Sequence, residues 1–411
     1  MSTTSMRSLK VLIVTSDFSG PRNAPWLMDD LAAEFARIGH SVTILATDIR
    51  VPWPRGDNGE VQPGIRLFGA GPKKARSGLL GKVAGYGAAA WQLHTRAFKW
   101  AKQEDFDVVV YTSIGLFSWY FPRRLRSRLS TLRSAMVLWD FFPIQHIEIG
   151  RIGKGVPPNL LKALERQAIK GADAVVVMTP RNVEFMAAYH GDLKTRVAVA
   201  APWSVLARDA FDSIETQRAM RTNANEFHLV WAGQMIEGRG LEVLFEAISG
   251  LEQEFPGLST IVVGDGPKRR DFERMAASRK LKSVTFTGRL PRGVYRELLT
   301  DADAGVAITV PDVTIPTFSA KISEFCAYGV PVVVSIEDSS DAGDIIQAAG
   351  AGLSSKAGDV AELRKSIRTL IAAKADGRLS AYSFAARALF ERELSATYAV
   401  ETLIKAVGIS T

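Results

Sequence analysis

The sequence predicts an α/β protein of two doubly wound domains, each a parallel sheet with helices on both faces. Three observations predict it. Short, continuous apolar segments alternate with stretches of helical spacing, the pattern of strands buried on both faces. The series runs twice, lapsing over the polar stretch 207–226 and resuming at His228. The 411 residues also exceed what one hydrophobic core comfortably holds.

Taken in order, residues 9–15 read as the first buried strand. Leu27, Leu31, Phe35 and Ile38 then mark a helix that Gly39 ends, and 42–47 form the next strand. Further strands fall at 108–112, 135–139, 174–179 and 197–200, and the polar stretch after them reads as an interdomain linker. The second series places strands at 228–232, 260–263, 284–286, 305–308 and 330–335. The expected domains are therefore 1–206, 207–380 and a terminal helical segment, 381–411. Paired sheets of this kind bind ligands at the carboxyl ends of their strands, in a cleft between the domains.

Composition narrows the function classes. Hydrophobic residues make up 47% and charged residues 23%, as in globular proteins. Cys326 is the only cysteine, so no internal disulfide can form. No apolar run approaches the ~18 residues of a transmembrane helix. Val11 to Val14 is followed at once by Thr15, Ser16 and Asp17, unlike a signal peptide, and the expected compartment is the cytoplasm. The net charge of +8 is concentrated between Lys73 and Arg133, where twelve basic residues face three acidic ones. Leu79, Val83, Tyr86, Ala90, Leu93, Ala97 and Trp100 fall there at helical spacing, with Lys82 and Lys99 off the stripe. Arg123, Arg124 and Arg126 follow. Basic residues beside aromatics suit an anionic membrane surface, and no nucleic-acid module motif is present. The protein is expected to lie peripherally on the inner face of the cell membrane.

The chemistry concentrates in residues 316–335, PTFSAKISEFCAYGVPVVVS. They read as a helix opening at Ser319, carrying Lys321 and Glu324, stopped by Tyr328 and Gly329, with a buried strand beyond. A helix N-terminus attracts phosphate through unpaired N–H groups and partial positive charge. A carboxylate one turn on can accept two hydrogen bonds from vicinal ribose hydroxyls. Glycines also punctuate the loops after two earlier strands: Gly233 and Gly240 around Gln234 and Arg239, then Gly264 and Gly266 before Pro267. They let backbone approach a ligand, and Pro267 suits a first helical turn. The spacing is not that of a dinucleotide fingerprint.

The order of these motifs resembles family 4 of the GT-B glycosyltransferases. The matching runs are Gly233 through Arg239-Gly240, Val-Gly-Asp-Gly-Pro from Val263, Val-Thr-Phe-Thr-Gly from Val284, and Glu-Phe-Cys-Ala-Tyr-Gly-Val-Pro-Val-Val from Glu324. The resemblance extends from the opening strand to a terminal helix crossing back to the first domain. Phe-Ser-Ala-Lys-Ile-Ser-Glu-Phe and Trp139-Asp140-Phe141-Phe142-Pro143 are similar to the branch that builds bacterial surface polysaccharides. It implies two Rossmann-like domains facing across a cleft. It also implies sugar transfer from a nucleoside-diphosphate sugar to a lipid-linked or oligosaccharide acceptor, with retained configuration and neither metal nor cofactor. Arg239 matches the residue that contacts the diphosphate, and Ser319, Ala320 and Lys321 match the segment that meets the phosphates. Glu324 matches the ribose-binding glutamate. Gly288, Arg289 and Leu290 match the turn that lines the base pocket. Asp140, His146, Gly20 and Asn23 fall on the acceptor side, Asp140 also as a catalytic candidate.

Two positions depart from the family. Gln234 stands where an arginine is common, and Pro316 stands where many members carry the first glutamate of an E-x7-E pair. These departures keep open a non-catalytic GT-B partner protein, and the fold separately keeps open a GT-B nucleotide-sugar epimerase.

Overall fold

The computed structural model describes residues 7–15, 18, 26–47, 56–70, 88, 91–92, 95–96, 98–99, 104–112, 121–141, 143–148, 158–206, 208–219, 225–311 and 313–409. Two compact units result: Met1–Ala200 with Ala396–Thr411, and Ala201–Ser395.

The first unit is built on eight strands: β1 (Lys10–Thr15), β2 (Ser41–Thr47), β3 (Gly56–Gln62), β4 (Ile65–Ala70), β5 (Val108–Thr112), β6 (Arg133–Val137), β7 (Ala174–Val177) and β8 (Arg196–Val199). Their order is β3-β4-β2-β1-β5-β6-β7-β8. All neighbours are parallel except the β3–β4 hairpin at one edge. That hairpin escapes the apolar pattern because GDNGEVQ of β3 has little to bury. The central strands are fully buried, as their Val-rich runs require. The helix Ala396–Ala406 belongs to this unit. Its Thr397 hydroxyl donates to Glu34 Oε1 at 2.6 Å, and its last carbonyl, Ala406 O, accepts from Arg196 at 2.9 Å.

The second unit carries β9 (Phe227–Ala232), β10 (Leu258–Val263), β11 (Val284–Gly288), β12 (Ala304–Ile308), β13 (Val332–Ile336) and β14 (Gly352–Lys356). The order is β11-β10-β9-β12-β13-β14, parallel throughout. Winding therefore reverses between β9 and β12, where a doubly wound sheet opens its crevice. Phe245, Ile248 and Leu251 of helix Leu241–Glu254 and Leu363, Ile367 and Leu370 of helix Val360–Ala375 pack over Leu229 and Val262.

Two expectations are corrected here. The stretch expected as a linker holds the helix Arg208–Ala219, which buries Phe211 and Ile214. So few apolar anchors on a polar helix leave little periodic signal. The expected terminal segment also does not act as one piece. Helix Leu379–Leu389 lies in the second unit, a π-helical turn Phe390–Leu394 follows, and the unit boundary comes only after Ser395. Arg387 explains the division: its Nη1 donates to Ala327 O (2.9 Å) and its Nη2 to Leu206 O (3.2 Å), while the guanidinium covers Phe211 and Phe390. Position 206 is thereby bound to the second unit. The two crossing strands of chain lie side by side, with Ser204 N donating to Leu394 O at 3.0 Å.

Candidate functional site

The candidate site lies along the carboxyl edge of the second sheet. β9 ends at Ala232 and leads into the loop carrying Gly233, Gln234 and Arg239; Gly240 caps the following helix with φ +64°. A Cβ at Gly240 would lie 2.8 Å from both Ile308 Cγ1 and Thr309 O, so the loop closes directly onto the end of β12. Glycine is required there by conformation and by space. Arg239 is half-buried beside this junction, and Gln234 is exposed.

Gly264 and Gly266 serve the same architecture. Gly264 adopts φ +137°, and a methyl on it would overlap the carbonyl of Gly233; one on Gly266 would overlap the carbonyl of Met235. The two loops are also stitched by Met235 N to Asp265 O and Lys268 N to Met235 O, each 3.0 Å. These glycines are accounted for by one loop passing against another. The next helix starts at Arg269, two residues after Pro267, so Pro267 belongs to the preceding turn. Gly288 (φ +74°) ends β11, followed by exposed Arg289 and half-buried Leu290.

The helix Ala320–Ala327 opens where expected. Ser319 is its N-cap, its hydroxyl oxygen accepting from Lys321 N, and Tyr328 with left-handed Gly329 (φ +62°) ends it. Glu324 is 8% exposed, and its Oε2 accepts from Lys321 Nζ at 2.7 Å. The two side chains matched to ribose and phosphate thus satisfy one another, one turn apart. Lys321 Nζ also sits 4.5 Å from the centroid of the Tyr295 ring. Tyr295 itself is buried, and its hydroxyl meets no hydrogen-bond partner among the described residues. Burial first, then Glu324 and Tyr328, push this phenol well above its ordinary value. Sequence reasoning missed Tyr295, because a tyrosine inside an amphipathic helix reads as core. It also missed Glu337, just past β13.

In the first unit, Asp140 is exposed three residues past the end of β6, and half-buried Trp139 meets Trp26 edge to face at 5.3 Å. Trp26 is 43% exposed and precedes the helix Leu27–Arg37. Gly20, Asn23 and Lys82 lie outside the described residues, as does the side chain of His146, which falls in the short helix Ile144–Glu148.

The expected membrane contacts divide. Arg123 and Lys99 are exposed, and Trp91 is 67% exposed. Arg124 is half-buried, stacked 4.8 Å over Phe98, which Arg128 also covers. Arg126 is half-buried and carries structural contacts. Its Nη2 donates to Ser134 Oγ, to Gly171 O at 3.1 Å and to Asp173 Oδ2 at 2.8 Å, tying helix Phe121–Arg126 to the sheet. Charge counting cannot separate such a structural guanidinium from a solvated one. Among the described residues no helix is long and apolar enough to cross a membrane.

Comparison with known proteins agrees with this arrangement. Residues 27–203 match the glycosyl transferase 4-like domain family, and residues 226–373 match the glycosyl transferases group 1 family. An alpha-D-kanosaminyltransferase from Streptomyces kanamyceticus is 29% identical over 141 residues, covering 32% of this chain and 36% of that protein. The match thus spans about a third of that relative's length. Among solved structures, the sucrose-phosphate synthase of Thermosynechococcus elongatus gives a TM-score of 0.68 at 15% identity, covering 97% of this chain and 98% of that one. A trehalose-6-phosphate protein from E. coli bound with UDP-2-fluoro glucose gives 0.70 at 11% identity, covering 98% and 99%. Anabaena HepE in complex with UDP gives 0.63 at 15% identity, covering 97% and 99%. At such identities the likeness to solved structures is one of fold. Each half of the chain thus matches a glycosyltransferase domain family, and the fold is the GT-B fold of two Rossmann-like domains.

Proposed function

We propose that this chain transfers a sugar from a nucleoside-diphosphate sugar to a lipid-linked saccharide acceptor in surface polysaccharide assembly. The reaction would retain configuration at the anomeric carbon and need no metal. The protein would work on the inner face of the cell membrane, held there by Arg123, Lys99 and the exposed Trp91. The observation that carries the reading is the Lys321–Glu324 pair on a capped helix beside the β9–β12 switch point. The amide at 320 would take up a phosphate beside the capped amide of Lys321, and Glu324 would exchange Lys321 for the ribose hydroxyls. Arg239 would grip the diphosphate and offset charge as the sugar leaves. Exposed Gln234 leaves that site one cation short of the family pattern, which places more of the charge compensation on Arg239 and Lys321. The nucleotides named for HepE and the E. coli protein, and the sugar transfer named for the kanosaminyl relative, support the reading.

A thermal-shift screen against UDP, GDP, ADP, dTDP and CMP tests it. One nucleotide should raise the midpoint, by about 2.7 kcal/mol of stabilisation at a hundredfold excess over Kd. Glu324→Ala should melt near the wild type but lose both that shift and sugar transfer. No shift with any nucleotide, or unchanged turnover in the variant, would overturn the assignment.

A further inference from the structure

Glu337 lies one residue past β13 and is 2% exposed. No cation among the described residues pairs with it. Its carboxylate instead gathers donors from the two ends of the loop that joins β12 to the phosphate-facing helix. Oε2 accepts from the Thr309 hydroxyl at 2.6 Å, and Oε1 accepts from Thr317 N at 3.1 Å and the Thr317 hydroxyl at 2.5 Å. Glu337 N donates back to Thr309 Oγ1 at 3.3 Å. Thr309 is the first residue after β12, and Thr317 stands two before the cap Ser319. The residues that follow strengthen the grip: the Ser339 hydroxyl donates to Val313 O at 2.9 Å and the Ser340 hydroxyl to Thr317 O at 2.5 Å.

A buried carboxylate without a counter-charge is costly, and burial raises Glu337 above its ordinary value even against the bonds from Thr309 and Thr317. Ordinary packing would place an apolar residue at the end of a Val-rich strand. The carboxylate instead clamps the loop adjoining Pro316.

We infer that Glu337 is a positioning residue of the donor site, holding residues 309–311 and 313–319 so that the helix N-terminus at Ser319 meets the donor diphosphate in one geometry. This rests on the donor-site reading above. The role is indirect: Glu337 grips Thr309 and Thr317, and these set the height and direction of the cap Ser319 and the amide at 320.

The test uses the full chain with Glu337→Gln, which replaces one acceptor by a donor facing donors, and Thr317→Val, which spares the carboxylate but removes one hydroxyl. The readouts are melting temperature, hydrogen exchange resolved over 313–319 and over β9 and β10, the Kd of the nucleotide that wild type binds, and KM for donor and acceptor. Glu337→Gln should speed exchange in 313–319 alone and raise the nucleotide Kd and donor KM about tenfold, with acceptor KM unchanged. Thr317→Val should do the same by about threefold, and supplies the answer should Glu337→Gln fail to fold. Unchanged Kd in a folded variant, or exchange quickened equally through the whole second unit, overturns the positioning role. Wild type that binds no nucleotide overturns the donor site itself, and the role with it.

Discussion

The carboxyl edges of the two sheets are made from different materials. In the second unit the edge is mostly backbone: Gly233, Gly240, Gly264 and Gly266 let loops touch one another, and a capped helix end supplies the amides. In the first unit the described part of that edge is side chain, with Trp26 and Trp139 in contact and Asp140 exposed beside them. Close approach of main chain to main chain requires glycines and caps, and these leave a local pattern in the sequence. Individual side chains on connecting segments leave none.

The comparison breaks most sharply at Gly264. If the second edge depends on backbone contact, one methyl group should damage it more than loss of a surface side chain. Gly264→Ala puts Cβ into the carbonyl of Gly233 at a φ of +137°, and about 3 kcal/mol or more should be lost. Thermal unfolding should show the fall together with loss of nucleotide binding. A variant that melts like wild type but no longer binds would mean that the loops have room, and that these glycines serve the ligand instead.

How much of this was legible follows the same division. The Ser319 cap, the Gly240 helix start and the Tyr328-Gly329 stop are local events, and each fell where its residues indicate. The roles of Lys321 and Glu324 came from resemblance, but their mutual ion pair follows from a three-residue spacing on one helix face. Long-range pairings left no signal. Glu337 meets Thr309 across 28 positions, and Arg126 meets Asp173 across 47. The helix at Arg208–Ala219 was hidden because its anchor, Phe211, packs against Arg387 from a distant segment. Neither a hydrophobic period nor a charge count contains such partners.

The basic face of the first unit offers a second, smaller separation. Arg123 is exposed while Arg126 is bound to Ser134, Gly171 and Asp173. Arg123→Glu should weaken binding to anionic liposomes by about 2 kcal/mol through charge reversal and leave the melting temperature alone. Arg126→Ala should do the reverse, costing about 2 kcal/mol of stability by removing the cation that bonds Ser134, Gly171 and Asp173. Liposome flotation paired with melting curves separates the two. Equal liposome loss from both would return Arg126 to the surface.

The smallest effect concerns the returning helix. Glu34 accepts from Arg37 at 2.7 Å and from Thr397 at 2.6 Å, so one carboxylate joins the helix Leu27–Arg37 to the segment that comes back into this unit at Ala396. Burial raises its pKa, but the hydrogen bonds from Arg37 and Thr397, with the charge of Arg37, outweigh that and hold it below its ordinary 4.5. A carboxyl depressed in the folded state binds fewer protons there than in the unfolded chain. Its stabilisation is therefore complete above pH 4.5 and is lost as pH falls through the folded value. Glu34→Gln should cost about 1 kcal/mol at pH 7 and flatten the decline in stability below pH 4.5 relative to wild type. Urea midpoints taken from pH 7 to pH 3 would show it. Parallel curves for the two proteins would mean that the returning helix is held by its apolar face, Val400, Leu403 and Ile404, and that side-chain polarity matters less to the first unit than its carboxyl edge implies.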